Sequence, residues 1–246
     1  MTLYDELSEL RLHYIAQNLD GFLSQAEVSK SSHRDLIARM VELELVERSR
    51  RSTDRRLKEA RLGRFQPMQD YDWNWPKEID RKAVESLFTP EFLESRRNAV
   101  LAGAQGLGKT MIARNLGHYA VLNGYSCLFT TASALTIDLG AQESRHALQR
   151  RLRYYESRDF LIIDDIGYLS FDTRAADFIF EIVNRRYEKA AICISTNLAF
   201  KDWAQVFPGA PCVTAMIDRL THNARIIKIA GESHRLRDSK ANKEKP

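Results

Sequence analysis

The 246-residue sequence predicts an α/β fold, a doubly wound and mainly parallel five-stranded sheet, behind a small all-helical head. Three observations carry this. From residue 98, short apolar runs rich in β-formers alternate with stretches long enough for helices: NAVLAG (98–103), SCLFTT (126–131), DFLIIDD (159–165), AAICISTN (190–197) and ARIIKIA (224–230). The first 65 residues show helical spacing and no such runs, and residues 66–97 read as a connector interrupted by prolines. The implied division is 1–65, 66–97 and 98–246. A composition of 44% hydrophobic and 28% charged residues excludes collagen-like, low-complexity and wholly disordered chains.

In the head, Leu3, Leu7, Leu10 and Tyr14 recur at spacings of four, three and four, which predicts one helix that Gly21 terminates. Ser32-His-Arg-Asp35 has the form of a capping box and opens a second helix with a Leu36, Met40, Leu43 stripe. A third helix follows and Pro67 stops it. Charge is unevenly spread: residues 1–47 carry −5, residues 48–64 carry +6, and the remainder +3. In the connector, DYDWNWP (70–76) concentrates aromatics, whose commoner role is to pack a linker and whose alternative is to frame a nucleotide base. Thr89-Pro90 suits a helix N-cap followed by proline in the first turn.

The first apolar run leads into Gly103-Ala104-Gln105-Gly106-Leu107-Gly108-Lys109-Thr110, which matches G-x-x-x-x-G-K-[ST]. Glycines let backbone N–H groups turn onto phosphates, and the following helix presents its positive end to them. Lys109 is then expected to reach the β- and γ-phosphates of ATP and Thr110 to ligate Mg²⁺. The third run ends in Asp164-Asp165 at the carboxyl edge of the sheet, where open α/β folds bind ligands. Asp164 is the expected Mg²⁺ partner, and Asp165 the group that orients and deprotonates the attacking water. Asn197, at the tip of the fourth run, is placed to hydrogen-bond the γ-phosphate or that water. Three widely spaced cysteines, Cys127, Cys193 and Cys212, fit a reduced cytoplasmic protein. The acidic N-terminus lacks a signal-peptide pattern, and no apolar run approaches a membrane span.

GAQGLGKT, LIIDDIGYL, ISTN, IDRLTHNA and GESHR, in this order, resemble the AAA+ ATPases of the helicase-loader branch, and most of all the IstB-type transposition helpers. The resemblance covers nearly the whole chain. It implies that 103–110 is Walker A, that Asp164 and Asp165 form Walker B, and that Asn197 is the first sensor. It also implies that Arg219 is the arginine finger and Arg235 the second sensor. Asp165 departs from the Glu usual at its position, and the sequence closing soon after GESHR implies that there is no C-terminal lid domain.

The same resemblance turns the basic collar into a DNA-binding candidate: Arg48, Arg50, Arg51, Arg55, Arg56, Lys58 and Arg61, of which Arg48, Arg51, Arg55 and Lys58 share one helical face. A second patch, Arg150, Arg151 and Arg153, lies between the second and third strands beside Tyr154 and Tyr155. The expected protein is an ATPase that forms a homo-oligomer on duplex DNA and assists the transposase of an insertion sequence. A replicative helicase loader and a non-hydrolysing, nucleotide-switched DNA-binding regulator are the alternatives.

Overall fold

A computed structural model describes residues 2–168 and 170–233. The chain divides into two units after Arg55. The first holds α1 (Leu3–Glu9), α2 (His13–Ser29) and most of α3 (His33–Ala60).

The predicted first helix is two. Arg11 takes a left-handed backbone, φ 60°, so that the N–H groups of Leu10, Arg11 and Leu12 return to the carbonyls of Glu6, Ser8 and Leu7 and close α1 as a helix cap. Leu3 and Leu10 are consequently exposed, while Ile15, Ala16, Leu19 and Phe22 form the buried face of α2. Gly21 does not end this helix but lies inside it, where a Cβ would meet nothing within 4 Å; left-handed Lys30 ends it instead. Leu12, at the N-cap of α2, offers no side-chain cap, and Glu44 of α3 substitutes: its carboxylate accepts from the N–H of Tyr14 at 2.9 Å and Ile15 at 3.0 Å.

Ser32 starts α3 as expected, its hydroxyl accepting from the Asp35 N–H at 3.2 Å. The second and third predicted helices are nevertheless one. No glycine or proline interrupts residues 33–60, and the ion pairs Glu44–Arg48, Glu47–Arg51 and Glu47–Arg50 stitch the acidic part to the basic part. Left-handed Arg61 and Gly63 stop the helix ahead of Pro67.

The second unit contains β1 (Glu78–Ile79), α4 (Arg81–Glu85), α5 (Pro90–Glu94), β2 (Asn98–Gly103), α6 (Lys109–Leu122), β3 (Cys127–Thr131), α7 (Ala132–Gly140), α8 (Arg145–Glu156), β4 (Phe160–Ile166), α9 (Thr173–Arg186), β5 (Ala191–Thr196), α10 (Trp203–Val206), α11 (Val213–His222) and β6 (Ala224–Ala230). The sheet order is β1-β6-β2-β5-β4-β3, six strands rather than the five expected. The five predicted runs are the parallel ones; the two-residue β1 adds an antiparallel edge, Glu78 opposite Ala230. The C-terminal residues that bear on a lid lie outside the described residues.

Strands β2–β5 are largely buried on both faces, as continuous apolar strands require, whereas along β6 Ile227 and Ile229 are buried and Arg225, Ile226 and Lys228 are exposed. Along β4, Phe160 and Ile162 join the core that includes Ile112 and Leu116 of α6, whereas Leu161 and Ile163 join the core that includes Ile179 of α9 and Met216 of α11. Arg186, 1% exposed, fastens the entry to this central strand: its guanidinium donates to the carbonyls of Tyr155, Glu156, Arg158, Asp159 and Ala191, and burial pulls its pKa down to about 10. Cys127, Cys193 and Cys212 are unpaired, and burial pushes the Cys127 thiol up to about 12.

Candidate nucleotide site

The sequence places G-x-x-x-x-G-K-T between the tip of β2 and the start of α6, and the structure builds a phosphate cradle there. Each glycine answers a separate constraint. A Cβ on Gly103 would lie 2.0 Å from the Ile229 carbonyl of the neighbouring strand, and one on Gly106 would lie 2.2 Å from Ser233 Oγ. Gly108, at φ 82°, is the N-cap of α6, and a Cβ there would strike the Tyr71 ring at 2.4 Å. Beneath the loop, Lys109 is 6% exposed and its Nζ donates to the Gly103 and Ala104 carbonyls, each at 2.7 Å. Those two carbonyls hold the ammonium in the mouth of the loop, where a phosphate can replace them as acceptor.

Opposite the loop, β4 carries the two acids. Asp164 is 2% exposed, and Asp165 is exposed and lines the cleft. Burial is the main force raising the Asp164 pKa; the Ser195 hydroxyl bond opposes it, the Asp165 charge raises it further, and Thr110 and Arg114 lower it. A buried carboxylate whose charge is costly, facing the hydroxyl of Thr110, is a hard-oxygen pair suited to Mg²⁺.

The cleft has a volume of about 620 Å³ and is closed on one side by Arg64 and by the connector, including Gln66, Asp70, Tyr71, Asp72, Trp75 and Pro76. The DYDWNWP segment does two jobs. Tyr71 packs under Gly108, donates to the Leu107 carbonyl at 3.0 Å and has its own pKa pushed up to about 12 by burial and by Asp72. Trp73 packs against Tyr71 with the rings tilted at 60° and centroids 4.7 Å apart, and lies beneath Arg81. Trp75 lines the cleft, and its indole N–H donates to the Glu232 carbonyl at 2.9 Å. The first residues of GESHR thus brace the connector and the loop: Gly231 leaves room for the Lys77 N–H, and Ser233 abuts Gly106. Tyr71, Arg114, Tyr168 and Ser195 were not anticipated; only Tyr71 carried a signal, as an aromatic in a segment already rich in them.

The remaining predicted residues fall elsewhere. Asn197 packs its Oδ1 onto Gly167, in the turn that follows β4. Arg219 is in the last turn of α11, outside the lining of the cleft, with its guanidinium 4.9 Å over the Phe180 ring and its Nη1 buried without a hydrogen-bond partner. Arg235 lies outside the described residues. In the collar, Arg48, Arg50 and Arg51 are tied to Glu44, Glu47 and Asp54, Arg56 is half-buried, and Arg55, Lys58 and Arg61 are exposed with no ion pair among the described residues. On α8, Arg150 and Arg153 are exposed, whereas Arg151 is paired with Asp138 and covers the Tyr154 ring at 4.1 Å; Tyr155 is core and donates to the same Asp138.

Comparison with known proteins agrees with this geometry. Residues 5–242 match the family described as IstB-like ATP binding protein. The chain is 34% identical over 234 residues to the ATP-binding protein of insertion sequence IS21 from Pseudomonas aeruginosa, covering 95% of this chain and 88% of that protein. It is 30% identical over 243 residues to that of insertion sequence IS5376 from Geobacillus stearothermophilus, covering 99% and 97%. Among solved structures, DnaI aligns with a TM-score of 0.55 and 19% identity over 67% of this chain and 90% of that one. The DnaC helicase loader aligns with a TM-score of 0.51 and 16% identity over 65% and 95%. At such identities these two likenesses speak to the fold, an α/β P-loop domain of AAA+ type. No helix among the described residues is long and apolar enough to cross a membrane.

Proposed function

Because the chain belongs to the IstB-like ATP-binding family of insertion-sequence proteins, we propose that it hydrolyses ATP while assembled as a homo-oligomer on duplex DNA, and in that form assists the transposase of its element. The observation that carries the reading is one cleft beside a helix N-terminus, lined by a buried Lys109, by Thr110 and by an exposed Asp165, with the buried Asp164 bonded to the Thr110 hydroxyl. Backbone N–H groups of the loop bind the phosphates, and Lys109 exchanges the Gly103 and Ala104 carbonyls for phosphate oxygens. Thr110 and Asp164 are the residues that would hold Mg²⁺, which when bound neutralises charge on the phosphates. Asp165 orients the attacking water and takes its proton. Asn197, beyond the end of the neighbouring strand, completes the water-side contacts.

Arg219, remote from its own subunit's cleft, serves the cleft of a neighbour, so hydrolysis depends on assembly. Arg235, outside the described residues, acts as the second nucleotide sensor. The exposed collar residues Arg55, Lys58 and Arg61, with Arg150 and Arg153 of α8, meet DNA phosphates. The insertion-sequence relatives favour transposition over the helicase-loader role, which the same cleft would serve equally well.

The test is phosphate release against protein concentration, with and without duplex DNA. The rate per subunit should rise with both, and Lys109→Ala and Asp165→Asn should each fall to background. Multi-turnover hydrolysis near the wild-type rate in either variant overturns the assignment.

A further inference from the structure

Between Ile163↔Ile194 and Ile166↔Thr196 the β4–β5 register slips: Asp164 and Asp165 together oppose the single residue Ser195. This is a β-bulge in a strand otherwise paired without interruption, and it sits on the two Walker B acids. Its consequence is visible at Asp165, whose φ of 61° is a left-handed conformation that costs a side-chain-bearing residue. The bulge also turns the Asp165 N–H off the strand ladder. Ser195, fully buried, answers both disturbances: its Oγ accepts from the Asp165 N–H at 2.9 Å and donates its proton to Asp164 Oδ1. Accepting from Asp165 uses a lone pair and leaves the hydroxyl's single proton for Asp164.

We infer that Ser195 is the positioning residue of the Walker B pair, holding Asp164 in its metal-binding rotamer and Asp165 in its left-handed, cleft-facing backbone through one hydroxyl. The inference rests on the ATPase reading given above. An apolar side chain at 195 removes the Ser195 donor from the buried Asp164 carboxylate and the acceptor from the part-buried Asp165 N–H, and each can replace it only by turning toward water. Thr110 of the phosphate loop also bonds Asp164, but nucleotide binding that does not involve the metal runs through the loop's backbone N–H groups and Lys109, which the substitution leaves in place.

The experiment compares Ser195→Thr with Ser195→Val, which fill the same volume and differ only in the hydroxyl, with Ser195→Ala beside them. Two readouts are taken on the full chain: binding of a fluorescent, non-hydrolysable ATP analogue with and without Mg²⁺, and steady-state phosphate release. Ser195→Val and Ser195→Ala should bind the analogue without Mg²⁺ within about twofold of wild type, lose roughly 10-fold of the tightening that Mg²⁺ confers, and fall roughly 10- to 100-fold in kcat with KM little changed. Ser195→Thr should recover most of both. Equal behaviour of the Thr and Val variants, or a Ser195→Ala protein whose Mg²⁺ tightening matches wild type, overturns the inference. A wild-type protein that binds the analogue with Mg²⁺ tightening but releases no phosphate sinks the ATPase reading while the binding arm still decides Ser195; wild-type binding indifferent to Mg²⁺ overturns the inference itself.

Discussion

The nucleotide cleft and the basic collar are both rich in charge, and their side chains are partnered in opposite ways. In the cleft, Lys109 is buried against backbone carbonyls and Asp164 against a serine hydroxyl. In the collar, Arg48, Arg50 and Arg51 each find a carboxylate three or four residues away on their own helix, and their side chains remain 45–62% exposed. The cleft groups are held by buried dipoles that a ligand's oxygens or metal can replace, whereas carboxylate partners cancel much of the collar's charge locally. Ion pairs so exposed are weak and screened by salt, so DNA phosphates can displace them at little cost, but they also discount the +6 that the collar carries on paper.

The cleft side of the comparison breaks hardest at Gly108. Alanine there must take φ 82° and place a methyl 2.4 Å from the Tyr71 ring, between the loop and the connector that shuts the cleft. We expect Gly108→Ala to weaken binding of ATP at least ~100-fold, about 3 kcal/mol of strain and lost contacts, measured by fluorescent nucleotide titration. Pairing it with Tyr71→Ala removes the clash but not the φ strain, so the double variant should recover only part of the loss. Full recovery would mean that the ring, and not the backbone, imposes glycine.

On the collar side, reversing Arg55 and Lys58 to Glu should cut affinity for duplex DNA roughly 10- to 100-fold and reduce the slope of log K against log salt by about 2. Neutralising Arg50 and Arg51 to Gln, which are already paired with Glu47, should change affinity no more than about threefold. If the second pair matters as much as the first, the intrahelical ion pairs open on binding and the contrast between the two regions is one of the unbound state only.

The same contrast governs what was legible. The place of the G-x-x-x-x-G-K-T loop between β2 and α6 could be read because its chemistry fixes residue types at fixed spacing, and strands β2–β5 because burial on both faces forces apolar runs, while β6 shows only its alternation of buried Ile227 and Ile229 with exposed neighbours. β1 could not: two residues become a strand only by meeting Ala230 and Ile229 from the far end of the chain. The bulge at Asp164-Asp165 and its Ser195 anchor were equally hidden, since a slip in register leaves the run LIIDDI unchanged in composition. In the head, the left-handed turn falls on Arg11, not on a glycine, and Gly21 then drew the helix end to the wrong place. The change from acidic to basic residues near 47 invited a helix boundary although charge alone breaks no backbone hydrogen bond.

Glu44 gives the mildest and most local test, because it joins both habits in one residue: it pairs with a collar arginine yet is 3% exposed and caps the N-terminus of α2. Burial pushes its carboxyl up, but the Ile15 N–H, the Arg48 side chain and the Tyr14 N–H together hold it below the ordinary 4.5. A depressed carboxylate contributes stability that is complete above its unfolded pKa and is lost as pH falls through the lower, folded one. Amide protection at Tyr14 and Ile15, corrected for intrinsic exchange, should therefore be level above pH ~5 and decline below about 4.5. Glu44→Gln, which keeps an acceptor but loses the charge, should lower that protection by about 1 kcal/mol at neutral pH and abolish the acid decline. An unchanged acid decline in Glu44→Gln would assign it to other carboxylates of the head and reduce Glu44 to an ordinary cap.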